Sequence, residues 1–294
     1  MDTENLSITS NKISQRYQLP PHSNRIAEGG LRLQDHNSRE FEASEPIVTV
    51  ITVVFNGGQH LEQAIQSVTA QHYPNLEYIL IDGGSSDHSL DIIKRYTNWI
   101  DYWVSEPDSG IANAMNKGLQ VSTGDYVLFL HADDYFLNER VVENAVSYLD
   151  KQCDIAAFNI LFEKEGNKIE HRPRQFVFWL NFKTGLLHQG VFCSRPLFEG
   201  LGGFDENYRI AMDYEFWLRA YRRGIRPKIF DYTITCMRDT GISSKDDWPS
   251  LKQRFLEEQR IHYQHAPNVM MRGIYRVYWS IYLPYRYIRC ILTK

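Results

Sequence analysis

Two adjacent carboxylates, Asp133 and Asp134, stand just past a short apolar run, Tyr126-Val127-Leu128-Phe129-Leu130. Such a run suits a strand buried on both faces, in the middle of a parallel sheet. In open α/β sheets ligands bind just beyond the carboxyl ends of the strands. Hard oxygen ligands there suit Mg²⁺ or Mn²⁺ held together with a phosphate-bearing substrate. An acidic turn before a helix from Asn138 is the plain alternative. Two more clusters of acid and glycine follow strand-like runs: Asp82-Gly83-Gly84-Ser85-Ser86-Asp87 and Asp108-Ser109-Gly110. Each alone reads as a turn or a helix-capping loop. Three converging on one sheet edge point to a ligand crevice. No G-x-G-x-x-G follows the first strand, which disfavours a dinucleotide.

The elements that must position these residues are legible. Ile47 to Phe55 is a β-branched run and breaks at Asn56-Gly57-Gly58. Leu61, Ala64, Ile65 and Val68 then recur at helical spacing. Leu76 to Ile81 predicts a second strand, Trp99 to Ser105 a third, and Ile111 to Val121 a helix leading into the central strand. This alternation is that of a doubly wound parallel sheet. Beyond a helix over 138–150 the rhythm changes. Cys153 to Phe162 and Lys168 to Arg172 predict a hairpin that would put an antiparallel edge on the sheet. A strand over 188–193, a helix from Met212 ended by Gly224, a strand from Ile229 and a helix from Trp248 follow. Residues 1–45 are polar and predict a mobile extension with little core of its own.

Composition excludes several classes. The 294 residues carry a net charge of only −4, so there is no global basic field for nucleic acid. The four cysteines form no CxxC pair, which argues against a structural zinc site and fits a reducing cytosol. No signal peptide and no uncharged window of transmembrane length is visible. The tail over 268–294 is basic and aromatic, with no acidic residue after Glu258. That suits an in-plane helix on a membrane surface, on the inner face of the cell membrane. A terminal helix docked on its own domain, or a dimer contact, is the competing reading.

Taken together, Val53-Val54-Phe55-Asn56, the run from Asp82 to Asp87, Asn113 to Gly118, Gly124-Asp125, Ala132-Asp133-Asp134 and Gly202-Gly203-Phe204-Asp205 resemble the motifs of family 2 glycosyltransferases. The resemblance covers roughly residues 47–245. It implies a GT-A fold: a mostly parallel, Rossmann-like sheet flanked by helices, here over 46–245, with a C-terminal helical region over 246–294. It implies inverting transfer of a sugar from a nucleotide diphosphate, with Mn²⁺ or Mg²⁺, to a saccharide or lipid-linked acceptor.

Residue by residue, the resemblance implies that Asp82 pairs with the base and that Phe55 and Asn56 line the nucleotide pocket. Asp108, Asn113, Lys117 and Ala132 border it, and Asp133 binds the metal. His131 stands where the family's D-x-D often has its first Asp. Asp213, in Met212-Asp213-Tyr214-Glu215, matches the family's general base, with Glu215 in reserve. His188 faces the sugar or acceptor, a buried structural histidine being the alternative. Two other functions compete. A nucleotidyltransferase needs a basic loop after the first strand, and Asn56-Gly57-Gly58-Gln59 has no Arg or Lys. A non-catalytic nucleotide-sugar-binding module would keep the pocket without the base.

Overall fold

A computed structural model of the chain describes residues 18–34, 41–149, 153–241 and 244–292. The fold is built on one mixed sheet. Its parallel half consists of β2 (Val48–Val54), β3 (Leu76–Asp82), β4 (Tyr102–Ser105) and β5 (Tyr126–Phe129), in the order β4-β3-β2-β5. Every residue of these four strands is buried. Alternation then divides them between two cores. Val48, Val50, Leu76, Tyr78 and Leu80 face one layer; Ile51, Val53, Ile79 and Ile81 face the other. Helices α1 (Gly58–Thr69), α2 (Ser89–Arg95) and α3 (Ile111–Val121) make the crossovers. Helix α1 buries Leu61, Ala64, Ile65 and Val68, the spaced set that predicted it.

Order reverses at β2. The chain passes from β2 outward to β3 and β4, then returns to place β5 on the other side. Loops leaving β2 and β5 therefore diverge and leave a crevice between them.

Antiparallel pairing goes further than the expected edge. It begins at β9 (Val191–Ser194), which runs antiparallel to both β5 and β7 (Ile155–Lys164). β10 (Lys228–Arg238) pairs parallel with β7 and antiparallel with the short β6 (Tyr135–Phe136). β8 (Asn167–His171) takes the place of β9 along the second half of β7, closing the expected hairpin through Glu165 and Gly166 at positive φ. Helices α4 (Val141–Val146), α5 (Arg195–Leu201), α6 (Met212–Arg222), α7 (Trp248–Gln264) and α8 (Val269–Leu292) complete the layers. A third small core, including Leu251, Phe255, Met271, Tyr275 and Trp279, forms between α7 and α8. One face of α8 is thus docked on its own chain, and Pro284 lies inside it.

The expected mobile extension needs correction within its described part. β1 (Ala27–Gly29) pairs antiparallel with β4, and Leu19 is buried in one of the large cores. Arg32 forms an ion pair with the buried Glu77, which also accepts from Thr49 Oγ1 at 2.5 Å and Thr123 N at 2.7 Å. A polar, turn-rich composition hid an edge strand of only three residues. The remainder of that stretch, 1–17 and 35–40, lies outside the described residues.

Candidate active site

A cleft of ≈ 2280 Å³ opens at the carboxyl ends of the parallel strands. Phe55, Asn56, Asp108, Ala132, Asp133, His188 and Asp213 all line it. Asp82, Asn113, Lys117 and Glu215 do not, and each is tied elsewhere.

The carboxylate of Asp82 is completely buried. It accepts from Ser85 N at 3.2 Å, Ser85 Oγ at 2.5 Å and Ser105 Oγ at 2.5 Å, so its valence is spent on the loop. Its neighbour Gly83 reaches the cleft instead. A side chain on Gly83 would collide with Asp108 Oδ2, so the glycine lets that carboxylate settle beside Phe55. Asp108 Oδ1 accepts from Gly110 N at 2.8 Å, and burial raises the pKa of the group. Asn56, at positive φ, uses its side chain as a staple: Oδ1 accepts from Ser86 N at 2.8 Å. Asn113 Nδ2 donates to Glu206 at 3.0 Å. Lys117 pairs with Glu106 at 2.8 Å and donates to Pro107 O at 3.0 Å, bracing the loop that carries Asp108. These two residues position the loop and stand away from the cleft lining.

Across the crevice, Asp133 Oδ2 accepts from Thr240 Oγ1 at 2.6 Å, and its carbonyl accepts from Arg238 at 2.5 Å. Asp134 is buried, and neither of its carboxylate oxygens has a hydrogen-bond partner. Burial first, and then the charge of Asp133, hold its pKa well above the ordinary range. His131 is edge-on to His188, with ring centroids 4.5 Å apart. Burial and that second ring push the His131 pKa well down, which favours the neutral imidazole.

Asp213 sits in the first turn of α6, where the helix dipole favours a carboxylate. Its Oδ1 accepts from Tyr214 N at 2.7 Å, while Oδ2 lies 3.6 Å from His188 Nδ1. Both ring nitrogens of His188 are buried without a hydrogen-bond partner. Glu215, the reserve base, is withdrawn: it is buried, paired with Arg219 at 2.7 Å and within 2.9 Å of His265. Residue i+2 on a helix faces away from residue i, and here it faces the core.

Sequence reasoning missed Glu258. It lines the same cleft from α7, and its pKa is pushed up to about 7, chiefly by burial. Arg254, Arg286 and Lys183 oppose that shift, and Asp213 adds to it. No motif marked Glu258, although its spacing from Arg254 is that of an i,i+4 pair.

Among the described residues no three His, Cys, Asp or Glu side chains gather as a metal cage. Mg²⁺ and Mn²⁺ ordinarily need fewer, since substrate phosphates and water complete their shell. Asp133 beside the unpartnered Asp134 fits such a shared ion.

The model of glycosyl transferase family 2 matches residues 49–230. The chain belongs to that family. An uncharacterized glycosyltransferase of Mycobacterium tuberculosis is 35% identical over 185 residues, which is 60% of this chain and 70% of that one. A PGL/p-HBAD biosynthesis glycosyltransferase of Mycobacterium bovis is 25% identical over 189 residues, with the same coverage. Among solved structures, Staphylococcus aureus TarS 1-349 in complex with UDP-GlcNAc superposes with a TM-score of 0.59 at 19% identity. That match covers 74% of this chain and 66% of TarS 1-349, just under two thirds. The mannosyltransferase PcManGT of Pyrobaculum calidifontis, in complex with GDP-Man and Mn²⁺, gives a TM-score of 0.55 at 19% identity over 99% and 96% of the two chains. The fold is GT-A, and this family 2 member is a glycosyltransferase.

Proposed function

We propose that the chain transfers a sugar, with inversion, from a nucleotide diphosphate to an acceptor hydroxyl in polysaccharide or glycolipid synthesis. One observation carries this reading: Asp133, after β5, and Asp213, in the first turn of α6, line one cleft. The donor nucleotide rests against Phe55, Gly83 and Asp108. Asp108 Oδ2 offers an acceptor to a base N–H, a task the buried Asp82 leaves to it. A UDP-sugar is the preferred donor, in line with the UDP-GlcNAc of TarS, although the PcManGT complex keeps GDP-mannose in play.

Inversion needs a single in-line displacement. Asp213 Oδ2 takes the proton as the acceptor oxygen attacks the anomeric carbon, and the bond to the diphosphate breaks. His188, 3.6 Å from Asp213, bounds the same space and helps to exclude water. A divalent cation held through Asp133, when bound, supplies positive charge opposite the departing diphosphate. Thr240 fixes the orientation of the Asp133 carboxylate.

No helix among the described residues is long and apolar enough to cross a membrane. We place the enzyme in the cytoplasm, peripheral to the inner face of the cell membrane through residues 268–294. A panel of nucleotide sugars, scored for thermal stabilisation with and without Mn²⁺, tests the donor reading. A shift with UDP or GDP plus Mn²⁺ that chelator removes supports it. No response to any nucleotide overturns it.

A further inference from the structure

The displacement leaves one wall of the cleft unused. Lys183, Arg254 and Arg286 line it together with Glu258, and all three cations act on that one carboxylate. They come from separate places: the segment after the turn Phe178–Asn181, helix α7 and helix α8. Three cations act on Glu258 in a molecule whose net charge is −4, with Asp213 as a second anion there. Two of the three cations are held in place through aromatic neighbours. Arg254 and Arg286 lie over the ring of Phe255, at 5.3 and 4.8 Å, and Arg286 donates to the Tyr282 hydroxyl at 2.9 Å. The Arg254–Glu258 separation is a loose 3.8 Å.

An apolar ramp lines the same cleft as these cations. Ile274 and Val277 line the cleft and are exposed. The same helix face continues through Ile281 and Ile288, also exposed, at the three- and four-residue steps of a helical stripe. Trp179, 72% exposed, lines the same cleft, with Phe178 beside it. A helix that only docks on its own domain needs one apolar face, and α8 already buries Met271, Tyr275 and Trp279 on the other. The outer stripe is therefore surplus to folding. Arg272 and Arg276, both exposed, lie on other faces of the same helix, and no acidic residue occurs after Glu258. Exposed apolar surface edged by cations matches an anionic headgroup with hydrocarbon behind it.

We propose that this wall is part of the acceptor subsite and takes the phosphate or diphosphate of a lipid-linked glycan, whose sugar hydroxyl is the nucleophile. The anion sits on Lys183, Arg254 and Arg286, and the hydrocarbon lies along Ile274, Val277 and Trp179. This assignment rests on the glycosyltransferase reading of the cleft and names its acceptor class. Glu258 suits such a site: with its pKa near 7, it takes up a proton when an anion arrives and then donates to it.

Calorimetric titration of the full chain with farnesyl diphosphate tests the assignment, using inorganic diphosphate and farnesol as comparisons. Each is run with and without saturating UDP or GDP plus Mn²⁺, which keeps the donor's diphosphate position filled. We expect farnesyl diphosphate to bind at least about tenfold tighter than inorganic diphosphate, because only it reaches the ramp. Lys183→Glu, at an exposed position, should weaken both anions by about tenfold. The exposed pair Ile274→Ser and Val277→Ser should bring farnesyl diphosphate down to the level of inorganic diphosphate and leave the latter unchanged. Equal affinity for the two anions would assign the wall to a soluble anion and overturn the proposal. Unchanged binding in Lys183→Glu would overturn it as well. Failure of UDP and GDP to bind is a separate result that sinks the donor reading instead.

Discussion

The two walls of the cleft are built on opposite plans. On the donor side the polar groups that brace the wall are consumed by the scaffold: Asp82 by three donors, Asn56 by the Ser86 amide, Lys117 by Glu106. On the acceptor wall polar groups are left open. His188 has neither nitrogen bonded, and Glu258 is poised near neutrality. A satisfied loop is rigid and pre-formed, which suits a wall that recognises a fixed nucleotide. Buried groups without partners cost free energy unless a ligand completes them. The difference suggests that donor recognition is built into the fold, whereas the acceptor wall waits for its substrate.

The largest effect that would sharpen this contrast is at Asp213. Asp213→Asn should cut transfer by about 10²–10⁴-fold, the range of a lost general base. Nucleotide affinity, measured by calorimetry, should stay unchanged, because Asp213 belongs to the other wall. Retained transfer in this variant would remove the base from the mechanism.

Trp279 tests whether the acceptor wall is held from behind. Its Nε1–H donates to His262 Nδ1 at 2.9 Å, and His262 Nε2 is 2.8 Å from the Tyr214 hydroxyl. That hydroxyl donates to Leu180 O at 2.8 Å, so Nε2 must carry the proton and His262 is neutral. Burial agrees, holding its pKa at about 3. The relay ties α8 to Tyr214, the residue after Asp213. Trp279→Ala should cost about 3–5 kcal/mol in urea unfolding, through the cavity and an unpaired buried nitrogen. Trp279→Phe keeps most of the volume and should cost about 1–2 kcal/mol. Loss of nucleotide affinity in the phenylalanine variant would break the separation of the two walls.

The donor wall was the legible one. Its residues lie in short contiguous runs at strand ends, where glycine, serine and aspartate report backbone geometry directly. The β-branched run over 47–55 marked β2, and its break at Asn56 marked the crevice. What the runs could not tell was which carboxylate stays available. Asp82 and Asp108 look alike in sequence, and only packing shows that Ser85 and Ser105 occupy one while Gly83 makes room for the other. The acceptor wall is assembled from Lys183, Arg254, Glu258 and Arg286, scattered over a hundred residues, with no local pattern to join them. Basic and aromatic composition flagged α8, but could not say that one face would be docked and the other left open.

Asp82→Asn asks whether the donor wall is truly self-satisfied. The serine hydroxyls can rotate, and the remaining carbonyl oxygen can still accept from Ser85 N, so a loss of about 1–2 kcal/mol in unfolding is expected. Nucleotide affinity should change little. A tenfold loss of UDP affinity would mean that Asp82 itself meets the base, and the contrast between the walls would narrow.

The smallest effect separates stability from function at Glu258. Its folded pKa of about 7 lies above the ordinary value of 4.5 because burial disfavours the charge. The protonated form is therefore the one the fold prefers. The stability it contributes is complete below pH 4.5 and is lost as pH rises through about 7. A shift of that size has a ceiling of about 3 kcal/mol. Solvent reaches about a fifth of the side chain, and Arg254, Arg286 and Lys183 favour its charged form, so about 1 kcal/mol is the realistic effect. Glu258→Gln should match the parent in urea unfolding at pH 4.5 and exceed it by that amount at pH 8. A parent that does not fall behind its glutamine variant as pH rises would mean that Glu258 stays ionised. The acceptor wall would then carry its counter-charge in advance, closer to the donor wall opposite.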